Sequence, residues 1–250
     1  MTLALVTGAS SGIGLELARI CVGEGHETII VANEPAIHEA ARDLGARAVE
    51  TDLATPEGAR SVLEALGGRD VDLLLLNAGT GAGHTFLEQD LARVEHIVAT
   101  NVLGVLRLAH PLGRRMAARG QGRILITGSI VGYMPGTYQV IYTASKAFLN
   151  NFAVGLAEEL KDTGVTVSCL MPGATDTPFF ARAGMEDTPI GQAPKADPAD
   201  VARFGYDALM KGTVQATPGL LNKAQAAMAE ILPAGLVAKL HARVAKPADE

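Results

Sequence analysis

The stretch "YTASK" at residues 142–146 sets a phenol four residues ahead of an ammonium. In a helix, positions i and i+4 share a face with Cβ atoms about 5–6 Å apart, so the Tyr142 hydroxyl and the Lys146 ammonium can act on one small volume. A free phenol titrates near pH ~10, and a cation beside it favours the phenolate, giving a hydroxyl able to exchange a proton at working pH. The same pair also suits ordinary helix surface, and spacing alone does not choose between the two. Ser129 closes the apolar run "GRILITGS" (122–129). That places its hydroxyl at the carboxyl edge of a strand, where open parallel sheets bind ligands.

A second chemical feature is the turn "TGASSGIG" (7–14), which comes after the apolar run "TLALVTG" (2–8) and opens a helix-like segment. Gly8 allows a tight turn, Gly12 a close ligand approach, and Gly14 close packing of helix on sheet; the helix N-terminus then offers unpaired N–H groups to a pyrophosphate. The G-x-x-x-G-x-G spacing differs from the commoner G-x-G-x-x-G, and a purely structural turn is the alternative. In a dinucleotide site an acidic residue about 20 positions further on meets the adenosine ribose hydroxyls, whereas a 2′-phosphate calls for arginine. Asn33 and Glu34 occupy that place, and no Lys or Arg lies at 9–11 or 32–35. This favours NAD(H) over NADP(H). Glu34 facing solvent is the alternative, and an arginine from elsewhere in the chain could reverse the preference.

The elements that must hold these groups are set by periodicity. Strand-length apolar runs lie at 2–8, 27–32, 46–52, 71–79, 122–129 and 164–173, with a short one at 213–219. Runs that stay apolar on consecutive positions are what a parallel sheet covered on both faces produces. Helical spacing fills the intervals at 11–25, 35–45, 56–68, 87–120, 142–162 and 198–212. The alternation predicts right-handed βαβ units in an α/β, doubly wound parallel sheet of about seven strands. Neither an internal repeat nor a linker divides the chain, so one domain over 1–250 is expected. Periodicity fails and prolines accumulate at 174–198, which predicts a long loop with a short helix in it, of the kind that covers substrates. The tail at 219–246 is expected to be helical, interrupted at Pro233, without evident chemistry of its own.

Composition narrows the partners. The net charge is −6 and the 21 basic residues are scattered, which argues against nucleic acid or an anionic membrane as the main partner and for a small molecule. Cys21 and Cys169 lie far apart in apolar segments, so they are expected to be buried reduced thiols with no metal site. A cytoplasmic protein is expected, since no apolar leader precedes the first strand and no apolar run reaches the ~20 residues of a membrane span.

Taken in order, "TGASSGIG", "LNAG" at 76–79, Asn101 in "ATNVLG", Ser129, "YTASK" and "PGATDT" at 172–177 resemble the short-chain dehydrogenases/reductases of roughly 250 residues, from Thr2 to about Thr177. The resemblance implies a Rossmann-type fold and hydride exchange between a nicotinamide cofactor and a carbonyl or alcohol. It implies that Tyr142 is the general acid/base, and that Lys146 lowers the phenol's pKa and holds the nicotinamide ribose. Ser129 would orient the carbonyl, and Asn101 would position a water linking Lys146 to solvent. It further implies that Gly8, Ser11, Ile13 and Gly14 line the pyrophosphate, Asp52 and Leu53 the adenine, Asn77, Ala78 and Gly79 the adenosine side, and Pro172, Gly173, Thr175 and Thr177 the nicotinamide carboxamide. Asn77 bracing the sheet and Asn101 satisfying a neighbouring backbone group are the alternatives for those two. The same family pairs its long helices between subunits, so a homo-oligomer, dimer or tetramer, is implied.

The substrate end should be formed by the residues just after Gly79, Ser129 and Thr177. Those segments offer His84, Tyr133, Met134, Tyr138, Phe179, Phe180 and Met185, with Arg182 as the cation in the loop. Their mostly apolar character predicts an uncharged, partly apolar ketone or secondary alcohol. A non-redox enzyme of the same fold, such as an epimerase or dehydratase, and a catalytically idle dinucleotide sensor are the rival functions.

Overall fold

The computed structural model describes residues 2–247; residue 1 and residues 248–250 of the expected 1–250 unit lie outside the described residues. Seven strands, β1 (Leu3–Thr7), β2 (Glu27–Ala32), β3 (Arg47–Glu50), β4 (Leu73–Leu76), β5 (Gly122–Thr127), β6 (Val165–Leu170) and β7 (Gln215–Ala216), pair in parallel in the order β3-β2-β1-β4-β5-β6-β7. The helices are α1 (Gly12–Gly23), α2 (Ala36–Leu44), α3 (Pro56–Leu66), α4 (Leu91–Val98), α5 (Val105–Arg119), α6 (Val140–Leu160), α7 (Phe179–Arg182), α8 (Pro189–Gln192), α9 (Pro198–Lys211), α10 (Leu220–Ile231) and α11 (Ala234–Ala245).

The four consecutive leucines of β4 explain why the strands are apolar throughout. Leu74 and Leu76 pack into one core layer with Val62 of α3, Leu108 of α5 and Leu149 of α6, while Leu73 and Leu75 pack into the other with Leu17 of α1, Ile37 of α2 and Val201 of α9. Successive side chains alternate faces, so a strand covered on both sides has no polar position to spare. Cys21 and Cys169 sit in these two layers as free, buried thiols, their pKa values pushed up by burial to about 12 and about 11.

The expected helix at 87–120 is in fact four consecutive elements. A 3-10 turn at Phe86–Glu88 precedes α4, and a π-helical turn at Ala99–Gly104 separates α4 from α5. Gly104 in that turn lies so close to Leu53 that a Cβ would stand 2.9 Å from the Leu53 carbonyl oxygen. Widened turns of this kind recur at functional positions, and this one carries Asn101.

Two short helices, α7 and α8, occupy the 174–198 loop, which folds on a small core of its own made by Phe180, Ala183 and Met185. The tail forms α10 and α11, with Pro233 between them. Among the described residues no helix is long and apolar enough to cross a membrane.

Candidate active site

The sheet reverses its direction of growth between β1 and β4, and the crevice at the carboxyl ends of such strands is where open α/β sheets take their ligands. Here that crevice is a cleft of about 1200 Å³ bordered by the segments that succeed β1, β2, β3, β4, β5 and β6. Its floor is the glycine turn. Gly8 and Gly12 have φ of +66° and +56°, the left-handed region that side chains avoid. At Gly14 a Cβ would lie 2.1 Å from the Gly8 carbonyl oxygen and 2.5 Å from Asn77 Nδ2, so only glycine lets α1 sit this close to β1 and β4.

The first turn of α1 differs from those of α3 and α9. Thr55 caps α3 by accepting from Gly58 N (3.0 Å), and Asp197 caps α9 by accepting from Ala199 N (2.7 Å). Ser11 makes no side-chain capping bond to α1, which also lacks an acidic residue in its first turn. A helix end without a capping acceptor, opening on a cleft, is chemically suited to a pyrophosphate. Gly12 departs from expectation in one respect: a Cβ there would meet the Thr177 methyl group at 2.7 Å, so the start of the 174–198 loop lies directly over the turn.

Helix α6 brings the acid/base candidates together. Tyr142, Lys146 and Asn150 succeed one another at i, i+4 and i+8 on its inner face, and the helix can approach β5 only because Gly128 and Gly132 carry no side chains: a Cβ would stand 2.0 Å from Asn150 Oδ1 at the first and 2.5 Å from Asn150 Nδ2 at the second. Asn150 holds the main chain of Ser129 from both sides, accepting from Ser129 N (3.3 Å) and donating to Ser129 O (2.9 Å). Sequence reasoning missed Asn150, although its place one turn beyond Lys146 was the available signal. The Ser129 hydroxyl accepts from Val131 N (3.3 Å) and donates to the Pro172 carbonyl (3.2 Å), and it lies beside the Tyr142 phenol. Lys146 donates to the Thr127 carbonyl (2.7 Å), with its Nζ 5.8 Å from the centre of the Tyr142 ring.

The electrostatics correct one expectation. Lys146 does not make the phenol acidic in the protein alone. Burial pushes Tyr142 up to about 12, and the neighbouring Ser129 hydroxyl offsets only part of that. Burial also pulls Lys146 down to about 8. The ammonium is aimed at a backbone carbonyl, and desolvation disfavours the charged form of each group. The phenol therefore keeps its proton at neutral pH.

Asn101 and Asn77 both brace the scaffold. Asn101 is fully buried; it accepts from Thr80 N (2.8 Å) and donates to Thr80 O and Ser145 Oγ (2.9 Å each), while Ser145 donates to the Tyr142 carbonyl (2.7 Å). Both amide protons are used, which leaves the side-chain oxygen one further lone pair. Asn77 donates to the Thr7 and Gly8 carbonyls (3.2 and 3.3 Å) and accepts from Thr127 Oγ1 (3.1 Å), tying β1, β4 and β5 together behind the glycine turn.

The other expected cofactor positions, Ile13, Asn33, Glu34, Asp52, Leu53, Ala78, Gly79, Pro172, Gly173, Thr175 and Thr177, all border the cleft. Three of them serve the scaffold as well. Asp52 accepts from Ala54 N (2.9 Å), the Pro172 carbonyl accepts from Ile130 N (3.1 Å), and Thr175 donates to the Gly173 carbonyl (3.1 Å). A Cβ on Gly173 would stand 2.4 Å from Asn222 Oδ1. The tail thus reaches the site through α10, where the sequence offered no chemistry for it.

Of the seven expected substrate residues, Met134, Phe179 and Phe180 border the cleft. Phe179 packs on Tyr142 with ring centres 4.9 Å apart. The other four do not line it. His84 borders a separate surface recess with Gln89 and Arg93. Tyr133 hydrogen-bonds Met171 Sδ (3.2 Å) and accepts from Gln215 (3.0 Å) behind β6. Met185 is buried in the loop's own core, and Tyr138, at φ +64°, belongs to the turn before α6. Ile190 of α8, with Leu220, Met228, Leu240 and Val244 of the tail, lines the cleft instead. Residues so remote in sequence from the motifs carried no sign of their place. Arg182, expected near substrate, pairs with Glu34 through Nη2 at 2.9 and 3.1 Å. No group of three or more His, Cys, Asp or Glu among the described residues is arranged to hold a metal ion.

The family model described as short chain dehydrogenase matches residues 2–188. The chain is 34% identical over 194 residues to a 3-oxoacyl-[acyl-carrier-protein] reductase of Escherichia coli, covering 76% of this chain and 79% of that one. It superposes on a Sphingobium yanoikuyae short-chain dehydrogenase in complex with NADPH with a TM-score of 0.82, at 27% identity, over 93% and 96% of the two chains. The L-sorbose reductase of Gluconobacter frateurii, solved with NADPH and L-sorbose, gives a TM-score of 0.75 at 32% identity over 86% and 93%. With its seven-stranded parallel sheet and its glycine turn, the chain belongs to the short-chain dehydrogenase family and is an oxidoreductase that exchanges hydride between a nicotinamide cofactor and a carbonyl or alcohol.

Proposed function

We propose that this enzyme reduces an uncharged, largely apolar ketone with NADH in preference to NADPH, using Tyr142 as proton donor. The observation that carries this reading is the cluster of buried Ser129 and Lys146 with the half-buried Tyr142 at the end of β5, set between the uncapped α1 turn and an apolar wall. When bound, the nicotinamide supplies the hydride. Gly8, Ser11, Ile13 and Gly14 would hold its pyrophosphate, Glu34 its adenosine ribose, and the two Lys146 protons not engaged by Thr127 its other ribose. Ser129 orients the substrate oxygen and stabilises the negative charge that grows there. Tyr142 delivers the proton to that oxygen, and its neutral state in the protein alone fits reduction better than oxidation.

The wall of Met134, Phe179, Phe180, Ile190, Leu220 and Met228 is apolar, Arg182 is engaged by Glu34, and Lys195 lies over the Phe180 ring with its Nζ 5.0 Å from the ring centre. Of the two carbonyl types in the relatives' names, the 3-oxoacyl kind suits such a wall better than a sugar. The NADH preference rests on Glu34, whose carboxylate suits ribose hydroxyls and opposes a 2′-phosphate. An absorbance assay with NADH and NADPH against a panel of ketones and alcohols should give a higher kcat/KM with NADH and apolar ketones. A higher value with NADPH discards the preference. Product formed without redox change supports an epimerase or dehydratase, and tight nucleotide binding with no turnover across the panel supports a sensor.

We also propose that α4, α5 and α6 pair between subunits. Leu91, Val98, Phe148 and Val154 are exposed on them, Phe148 stacks on Phe152, and Gly155 has open space above its Cα. Light scattering on the purified protein should give the mass of a dimer or tetramer, and a monomer at micromolar concentration discards the pairing.

A further inference from the structure

The loop segment that starts over the glycine turn ends on Glu34. Thr177 lies against Gly12, Phe179 packs on Tyr142, and Arg182 places Nη2 2.9 and 3.1 Å from the two Glu34 carboxylate oxygens, one of which also accepts from Ser10. The end of α7 is anchored there independently: Arg93 of α4 donates through one Nη2 to the Arg182 carbonyl (2.7 Å) and to the Gly81 carbonyl (3.2 Å). Residues 177–182 therefore touch both the proton donor and the carboxylate expected at the adenosine ribose.

This geometry changes what Glu34 can do. A bare carboxylate repels a phosphate, but a guanidinium resting on it presents a fork that matches phosphate oxygens as well as carboxylate oxygens. Nothing on β1, the glycine turn or the residues after β2 supplies a cation, since no Lys or Arg occurs at 9–11 or 32–35. We propose that Arg182 is a specificity-determining residue that reads the 2′ position of the adenosine ribose from the substrate loop. It stays on Glu34 when the position carries a hydroxyl and shifts to the phosphate when it carries one, so that NADPH is disfavoured by Glu34 without being excluded. The inference rests on the cofactor-site assignment proposed above.

Calorimetric titration of the 250-residue protein with 5′-AMP and with adenosine 2′,5′-bisphosphate isolates this end of the site from turnover. Arg182→Ala should weaken the bisphosphate by about tenfold, the loss of one charge-assisted contact, and leave 5′-AMP within about twofold. Arg182→Lys, which keeps the charge and loses the fork, should fall between. Glu34→Gln should act in the opposite sense and tighten the bisphosphate. The kcat/KM ratio of NADPH to NADH should move in the same directions. Equal effects on both nucleotides, or none, in Arg182→Ala would overturn the inference while leaving the cofactor site in place. If neither nucleotide binds the folded wild-type protein, the site assignment falls and takes the inference with it.

Discussion

Tyr142→Phe is expected to lower kcat for ketone reduction by about 10²–10⁴-fold, the range general acid catalysis supplies, while leaving the NADH dissociation constant within about twofold of wild type. The ring is retained, so its packing on Phe179 at 4.9 Å survives, and only the hydroxyl beside Ser129 is lost. Burial holds that hydroxyl at about 12, so between pH 6 and 9 the free enzyme carries an undiminished supply of acid. The linked stability effect has a definite sign. The folded-state pKa lies above the unfolded value, so the folded protein binds more protons above about pH 10, and its stability declines as the pH climbs from there towards 12. The Phe variant should lack the phenol's share of that decline and keep the share due to the buried Cys21 and Cys169 thiols. Steady-state kinetics, nucleotide titration and alkaline denaturation curves on the two proteins together test the assignment, and a variant with more than about a tenth of wild-type kcat would remove Tyr142 from the proton transfer.

Much of this site could be read from short stretches of sequence because each motif is a local solution to a local problem. The glycines at 8, 12 and 14 answer to backbone geometry within one turn, and Tyr142 with Lys146 answers to helix periodicity. The four leucines of β4 announce a strand covered on both faces without any knowledge of what covers it. What could not be read depends on contacts between segments far apart in the chain. Glu34 looked like a lone carboxylate because its partner, Arg182, is 148 residues away. The π-helical turn at Ala99–Gly104 lies inside a longer stretch of helical spacing, and the contact that goes with it, Gly104 against Leu53, joins segments far apart in the chain. The tail appeared inert because Asn222 acquires meaning only where it meets Gly173. The acidity of Tyr142 failed for a related reason. Helical spacing puts a cation near the phenol, but burial, a property of the whole fold, outweighs that proximity.

Lys146 should then matter through contact more than through the pKa of its neighbour, and Lys146→Met separates the two. Methionine fills the apolar part of the channel beside β5, so the fold is preserved, while the donors and the charge are lost. Without the ammonium the nicotinamide ribose loses a charge-assisted contact, and the NADH dissociation constant should rise by about 10- to 100-fold. The rate should fall as well, because the cofactor is then less firmly placed beside Tyr142. The wild-type protein supplies an internal check. Burial lowers Lys146 to about 8, so the free protein sheds this charge as the pH rises past 8, and nucleotide affinity should weaken above that point by up to about tenfold per pH unit. Below pH 8 the affinity should be flat in this respect. In Lys146→Met the break near pH 8 should vanish, leaving weak affinity at every pH. A wild-type dissociation constant unchanged from pH 7 to 9.5, or a Met variant that binds NADH as tightly as wild type, would detach Lys146 from the cofactor and leave it a structural cation whose partner is the Thr127 carbonyl.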